Sequence, residues 1–269
     1  AQMGRAERDW DDDTSNGNWT GAKRFYVTRD TDPAIINSPV IADLGEVNMG
    51  DPATLQSFIE WSVANYPAQH YALILWNHGS GWRERTTATA IKSICVDGLS
   101  NDDLTMTELR SALNAANAAT GKTLDIVGFD ACLMQMVEVA YQIMGSASRP
   151  LVDIMVGSEE TEPGDGWDYA ATLIALTADP AMTPSELATR IVSDYIGSYS
   201  SSLGITQSGV NLGLVEELAT AIGSSKAYVW QLENKKNAKP SAELLLKIAN
   251  YLGESPDFFL DDSANERSE

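Results

Sequence analysis

His78 and Cys132 are the residues of this sequence whose types and settings could support nucleophilic chemistry. Each closes a strand-like run: Tyr71-Ala-Leu-Ile-Leu-Trp-Asn-His78-Gly-Ser-Gly-Trp82, and Leu124-Asp-Ile-Val-Gly-Phe-Asp130-Ala-Cys132-Leu-Met134. The only histidines are His70 and His78 and the only cysteines Cys95 and Cys132, so few thiol–imidazole pairs are available. A histidine beside a cysteine favours the thiolate, the form that attacks a carbonyl carbon. In an open parallel sheet the carboxyl ends of the strands border the crevice where ligands bind, and adjacent strands would bring His78 and Cys132 together there. Cys132 is further expected at the N-terminus of a helix, where free backbone N–H groups and the helix dipole stabilise a thiolate and a developing oxyanion. Against this stands the inert alternative, because an isolated cysteine among apolar residues is usually part of the core.

The surrounding elements must hold that pair. Arg24–Thr28 reads as a short strand. Asp51 before Pro52 caps a helix whose apolar face carries Leu55, Phe58, Ile59, Ser62 and Val63, and Pro67 prevents its continuation. Tyr71–Trp76 is a continuous apolar run, expected to be a strand buried on both faces of a parallel sheet. Thr105-Met-Thr-Glu108 has the capping-box pattern and opens a helix with Leu109, Leu113 and Ala116 on one side and Gly121 beyond its end. A strand follows over Asp125–Phe129, a helix from about Ala131 to Met144, a strand over Val152–Val156, and a second capping box at Thr183-Pro-Ser-Glu186 that starts a helix through Tyr195. Such alternation predicts an α/β fold, a mostly parallel sheet with helices on its faces. From about Leu214 the pattern becomes all-helical, with two short helices around Gly223 and another over Ala242–Tyr251. The expected division is therefore a domain over 1–214 and a small helical segment over 215–269.

Composition narrows the function classes. A chain of 269 residues can bury a full core, and its formal charge of −20 argues against a surface that binds nucleic acid overall. Two distant cysteines make no disulfide framework and match no zinc spacing. No stretch approaches the roughly 20 apolar residues that span a bilayer. Asp97, Asp102 and Asp103 offer oxygen ligands, but their spacing matches no calcium loop, so solvated carboxylates are the expectation and no metal or other cofactor is assigned.

With their flanks, the two segments resemble the clostripain-like cysteine peptidases of the caspase-like clan, over roughly residues 1–215. Tyr66-Pro-Ala-Gln-His-Tyr-Ala-Leu-Ile-Leu-Trp-Asn-His78-Gly-Ser-Gly-Trp82 is similar to the family's histidine motif, and Asp130-Ala-Cys-Leu-Met134 with Glu138 to its cysteine motif. Ile94-Cys-Val-Asp97 and Leu104-Thr-Met-Thr-Glu-Leu-Arg110 resemble the connecting segment, and Ser158-Glu-Glu-Thr-Glu-Pro-Gly164 the strand-end motif that follows. The resemblance implies a caspase-like fold and an endopeptidase acting on peptides or proteins that contain basic residues. It implies Cys132 as nucleophile, His78 as general base and acid, and the N–H groups of Gly79 and Cys132 as oxyanion donors. Asp130 would select Arg or Lys before the scissile bond, its alternative being a helix N-cap, while Ser158 and Glu160 would line the pocket. Lys92, in the polar stretch from Arg83 to Ser93, is the candidate for self-processing, its alternative a solvated loop lysine. Some relatives depend on calcium.

Both ends depart from the family pattern. Members begin with a buried strand and helix carrying an Asp-Asn motif ahead of the point equivalent to Ala1, so an exposed sheet edge and impaired activity are expected of this chain. The family is of bacterial type, and export is compatible with a leader lying ahead of Ala1. At the other end, Glu217–Lys236 and Ser241–Phe259 resemble a Cro/lambda-repressor-type helix-turn-helix. In that reading Ser225, Lys226, Tyr228 and Gln231 would face bases, and Lys235, Lys236 and Lys239 phosphates. The competing function is thus a DNA-binding module carried on an inactive peptidase-like scaffold.

Overall fold

The computed structural model describes residues 2–5, 19, 21–29, 36–81, 93–146, 148–200, 203–214, 223 and 241–252. In chain order the elements are β1 (Gln2–Arg5), β2 (Gly21–Phe25), β3 (Val40–Gly45), α1 (Pro52–Asn65), β4 (Ala72–Trp76), β5 (Ser93–Asp97), β6 (Asp102–Thr105) and α2 (Met106–Thr120). They continue with β7 (Leu124–Asp130), α3 (Val137–Ile143), β8 (Gly145–Ser146), β9 (Arg149–Pro150), β10 (Val152–Gly157), α4 (Tyr169–Ala178), α5 (Pro184–Ser198), β11 (Ser208–Asn211) and α6 (Ala242–Leu252).

The site is organised by a four-stranded sheet in the order β11-β10-β7-β4. β10, β7 and β4 run parallel and β11 is antiparallel, so the sheet is mostly parallel, as expected. Strand alternation splits its side chains between two cores. Leu73, Leu75, Val127, Phe129 and Met155 pack with Leu55, Ile59, Leu109, Leu113, Val139 and Ile143 of α1, α2 and α3. Ile126, Ile154 and Val156 point the other way, onto Trp167 and onto Ala188, Ile191 and Tyr195 of α5. The fold is an α/β sandwich with helices on both faces of the sheet.

Local chemistry explains where the helices start. Asp51 accepts a hydrogen bond from the Ala53 N–H ahead of Pro52. Thr105 with Glu108, and Thr183 with Glu186, each complete the reciprocal capping box, and Gly121 ends α2 in the left-handed conformation. A second, antiparallel sheet of β1, β2 and β3 leans on α1 through buried Arg24, whose guanidinium lies 4.6 Å from the Trp61 ring centroid and 5.7 Å from that of Phe58.

Three expectations are corrected. β4 is the outer strand of the sheet among the described residues, not a strand buried on both faces: Leu73 and Leu75 are buried, Ile74 is half-buried, and Trp76 is 65% exposed. The strand expected at Arg24–Thr28 lies at Gly21–Phe25. The helix expected from Ala131 begins only at Val137, because the chain beyond β7 keeps pairing with the segment beyond β10. There the Leu133 N–H donates to the Glu160 carbonyl at 3.0 Å and the Gln135 N–H to the Ser158 carbonyl at 2.9 Å. Of the segment after residue 214, α6 matches the expected helix; the two short helices around Gly223 lie outside the described residues, apart from Gly223 itself. No helix among the described residues is long and apolar enough to cross a membrane.

Candidate active site

The β4·β7 register brings the two candidate residues to one edge. Trp76 pairs with Asp130. His78 and Cys132 each follow two residues later, so they leave adjacent parallel strands in step, at the carboxyl edge of the sheet. His70 precedes β4 and binds Asp125 near the start of β7 at 2.7 Å, so it sits at the opposite edge. Cys95, in β5, packs against the main core, and burial pushes its thiol up to about 12. A thiol so desolvated stays protonated and inert near neutrality. Of the two histidines and two cysteines, His78 and Cys132 are the ones at the carboxyl edge of the sheet.

The loops that carry them are built against each other. A methyl group added at Gly79 would meet the Cys132 carbonyl oxygen at 2.6 Å, so only glycine permits this approach. β5 pins the histidine loop from outside: Gly79 bridges Ile94, the Ser93 N–H donates to the Ser80 hydroxyl at 3.0 Å, and the Asn77 amide donates to the Val96 carbonyl at 3.3 Å. His78 itself is exposed. Cys132 stands in a turn, with Leu133 after it held at φ +62°, a left-handed conformation unfavourable for a branched side chain. Its half-buried sulfur accepts the Glu162 N–H at 3.3 Å. The helix dipole expected to act on Cys132 is absent, since α3 starts five residues later with Met136 as an N-cap that makes no side-chain hydrogen bond.

Asp130 ends β7 and is 3% exposed. It caps no helix. Its Oδ2 accepts the Tyr169 hydroxyl at 2.6 Å and the Trp167 N–H at 3.4 Å, and its carboxyl contacts that of Glu162. Burial first, and then Asp130 through a shared hydrogen bond and its charge, push the Glu162 carboxyl up to about 8.

Ser158 is fully buried, its hydroxyl lying between the Glu160 backbone and Thr206 Oγ1, so it braces the loop rather than lining an open pocket. Glu160 contributes its backbone to the cysteine turn while its side chain is exposed. Asp97, Asp102 and Asp103 do not point at a common centre for a cation. Asp97 accepts the N–H groups of Met49, Leu99 and Ser100, Asp102 accepts the Asn48 amide, and Asp103 accepts the Ser93 hydroxyl. Among the described residues no group of three His, Cys, Asp or Glu could hold a metal ion. Lys92, Ser225, Lys226, Tyr228, Gln231, Lys235, Lys236 and Lys239 lie outside the described residues.

Glu162 lies within the Ser158–Gly164 motif, but the sequence assigns it no role, and it does not single out Tyr169. They are 30 and 37 positions beyond Cys132, in a loop and at a helix start, and no periodicity links them to it. Gln135, buried and donating to the Ser208 carbonyl of β11 at 3.0 Å, was equally hidden.

The fold is that of the C11 cysteine proteases. The sequence profile of the Clostripain family matches residues 29–251, and the chain belongs to that family. Clostripain of Hathewaya histolytica is 36% identical over 125 residues, 46% of this chain and 24% of that protein. A secreted C11 cysteine protease from Bacteroides thetaiotaomicron, solved in complex with an irreversible peptide inhibitor, is similar over 75% of this chain and 55% of its own, at 26% identity and a TM-score of 0.54. An inactive zymogen C11 protease from Parabacteroides distasonis shares the fold at 22% identity and a TM-score of 0.55, over 75% of this chain and 51% of its own. The chain thus spans about a quarter of the curated clostripain it matches and about half of these solved proteases. The match to the family runs through residues 215–251, and the comparisons lend the DNA-binding reading no support.

Proposed function

We propose that the chain is a cysteine endopeptidase that cleaves after Arg or Lys by way of a thioester. The observation that carries this reading is the common register of His78 and Cys132 at the carboxyl ends of adjacent parallel strands. His78 takes the Cys132 proton as the sulfur bonds to the scissile carbonyl carbon, and the N–H groups of Gly79 and Cys132 receive the oxyanion. The imidazolium then protonates the amine as the C–N bond breaks, leaving the thioester. Water, deprotonated by His78, attacks that thioester, and the proton returns to sulfur as the acid departs. Asp130 is the carboxylate for a guanidinium or ammonium side chain, since a neutral side chain would leave the desolvated charge unpaired. Ser158 and Glu160 act by holding the cysteine turn, and Lys92 is the candidate site of self-cleavage. Partners are peptides or proteins with basic residues, and the reading needs no cofactor.

A fluorogenic peptide ending in Arg tests the reading. Cys132→Ala and His78→Ala should each lower turnover by about three orders of magnitude or more. Asp130→Asn should weaken basic substrates selectively. Unchanged turnover in Cys132→Ala would refute the assignment.

A further inference from the structure

A buried cluster of two carboxyls and two tyrosines lies beside Cys132. Asp130 and Glu162 meet carboxyl to carboxyl, and Tyr169 covers the Asp130 Oδ2 with its hydroxyl at 2.6 Å. Gly166 closes over the whole carboxylate, so near that an added methyl would lie 2.9 Å from Oδ1 and 3.0 Å from Oδ2. Asp130 is therefore enclosed, and a basic side chain reaches it only by replacing something. Two further observations mark the pocket as incomplete. Glu162 Oε2 is buried and accepts from no side-chain or backbone N–H among the described residues, and the Tyr195 hydroxyl of α5, on a residue with no exposed surface, lacks a partner among the described residues while lying near Asp130, Glu162 and Cys132. Buried polar atoms left in this state are costly unless a ligand or proton completes them.

We propose that a basic substrate side chain displaces the Tyr169 phenol from Asp130 and a proton from the Asp130–Glu162 pair, so that selectivity for arginine over its neutral isostere citrulline rises with pH. The proposal rests on the peptidase reading for its substrate but not for its physics. Two adjoining buried carboxyls cannot both ionise cheaply, so one keeps a proton while the pocket is empty. A guanidinium seated between them favours both as carboxylates and offers parallel N–H donors to them. Tyr169 can leave because it begins α4 and is 41% exposed. The groups facing the pair are Cys132 after β7, the Trp167 indole N–H, donating to Glu162 Oε1 at 3.4 Å, Tyr169 on α4, Tyr195 on α5, and Tyr199 just beyond α5, the last also facing Asp165. Burial, the leading cause in each case, holds all three tyrosines above their ordinary range. With the three tyrosines held protonated, the carboxyl pair is the source of the proton that a cation displaces.

Sign and size follow from linkage. Below the Glu162 value of about 8 the empty pair holds one proton that binding must expel, and above it no proton is expelled. The ratio of kcat/KM for an Arg substrate to that for its citrulline twin should climb by up to about tenfold per pH unit between pH 6 and 8, then flatten. Ionisation of Cys132 and His78 affects both substrates alike and cancels in the ratio. Glu162→Gln should abolish the slope. Tyr169→Phe should tighten the cation by about tenfold at every pH, mostly in KM, because a hydrogen bond to a charged group no longer has to be broken.

A binding arm keeps this separate from catalysis. Agmatine, a guanidinium without a peptide bond, is titrated calorimetrically into wild-type, Tyr169→Phe and Glu162→Gln protein in buffers of different ionisation enthalpy. Wild type should release close to one proton per agmatine at pH 7, and Glu162→Gln none. Agmatine binding with proton release but no peptide cleavage would overturn the peptidase reading and leave the pocket standing. Cleavage after Arg with a pH-independent ratio, or a slope that survives Glu162→Gln, would overturn the pocket and leave the peptidase standing. Neither cleavage nor agmatine binding would overturn both, and weaker agmatine binding by Tyr169→Phe would refute displacement of the phenol.

Discussion

Gly79→Ala tests the claim that two separate loops, rather than two residues, constitute this site. The added methyl would lie 2.6 Å from the Cys132 carbonyl oxygen, 2.9 Å from Met134 Cγ and 3.0 Å from Ala131 Cβ. Carbon contacts are comfortable at about 3.5–4.0 Å, so the histidine loop must retreat by roughly 0.5–1 Å. It cannot do so freely, because the Gly79 bridge to Ile94 and the Ser93 bond to Ser80 hold it from the other side. Overpacking of this kind costs about 1–3 kcal/mol, or roughly 2–12 °C in Tm for a domain of this size. Misplacing a catalytic group by about 1 Å can cost on the order of 100-fold in rate, so kcat on the Arg-terminated peptide should fall about 10–100-fold while KM changes little. Gly98→Ala is the control, since nothing lies within 4 Å of a methyl added there and both Tm and kcat should stay as they are. Wild-type kcat and Tm in Gly79→Ala would show that the loops are not in contact and would remove the structural basis for pairing His78 with Cys132.

Other expectations follow from the same geometry. In folded protein iodoacetamide should label Cys132 and spare Cys95, whose thiol burial holds at about 12, so Cys132→Ala should take up label only after denaturation, as mass spectrometry would read. Glu162 has its folded value raised from 4.5 to about 8, so the folded state holds the extra proton and stability should decline as pH rises through that window. Glu162→Gln should accordingly gain a few degrees in Tm at pH 8.5 and almost nothing at pH 5, an advantage that differential scanning fluorimetry would measure. Thr105→Ala removes the hydroxyl that accepts from the Glu108 N–H and should cost about 0.5–2 kcal/mol in urea unfolding with kcat preserved, because α2 packs on the helical face of the main core.

What the sequence made legible was whatever depends on neighbours in the chain. A capping box is four residues exchanging two hydrogen bonds, so Thr105–Glu108 and Thr183–Glu186 announce α2 and α5 without reference to anything distant. The apolar runs of β7 and β10 are similarly self-declaring, since Val127, Phe129, Met155 and Val156 must be buried somewhere. The failures lie where tertiary partners decide. Tyr71–Trp76 has the composition of a central strand, yet its outer position in the sheet leaves Trp76 exposed. β11 is Ser-Gly-Val-Asn, too polar to read as a strand, and exists because β10 offers it an unpaired edge. α4 carries apolar residues around its circumference and buries none of them fully, so it has no face for a periodicity to reveal. The segment after β7 reads as helical, but hydrogen bonds from Leu133 and Gln135 to the strap beyond β10 hold it in a non-helical turn until Val137.

The same division separates the two halves of the site. Register alone puts His78 and Cys132 at one edge, because the side-chain period and the parallel ladder are properties of the strands that bear them. The pocket has no such source. Asp130 comes from a strand end, Glu162 and Gly166 from a loop, Tyr169 from one helix start and Tyr195 from the last turn of another helix, and they meet only once α5 has packed on the sheet. That origin has a physical consequence: the strap from Glu162 to Tyr169 can change its packing against Asp130 without disturbing the β4·β7 ladder. Reactivity and selectivity should therefore respond to different substitutions, kcat to the loops around Gly79 and Leu133, and discrimination between basic and neutral side chains to Glu162 and Tyr169. The latter two should leave the Cys132 alkylation rate within a factor of a few of wild type, because the Glu162 N–H that meets the sulfur belongs to the backbone and is present in every variant of that side chain.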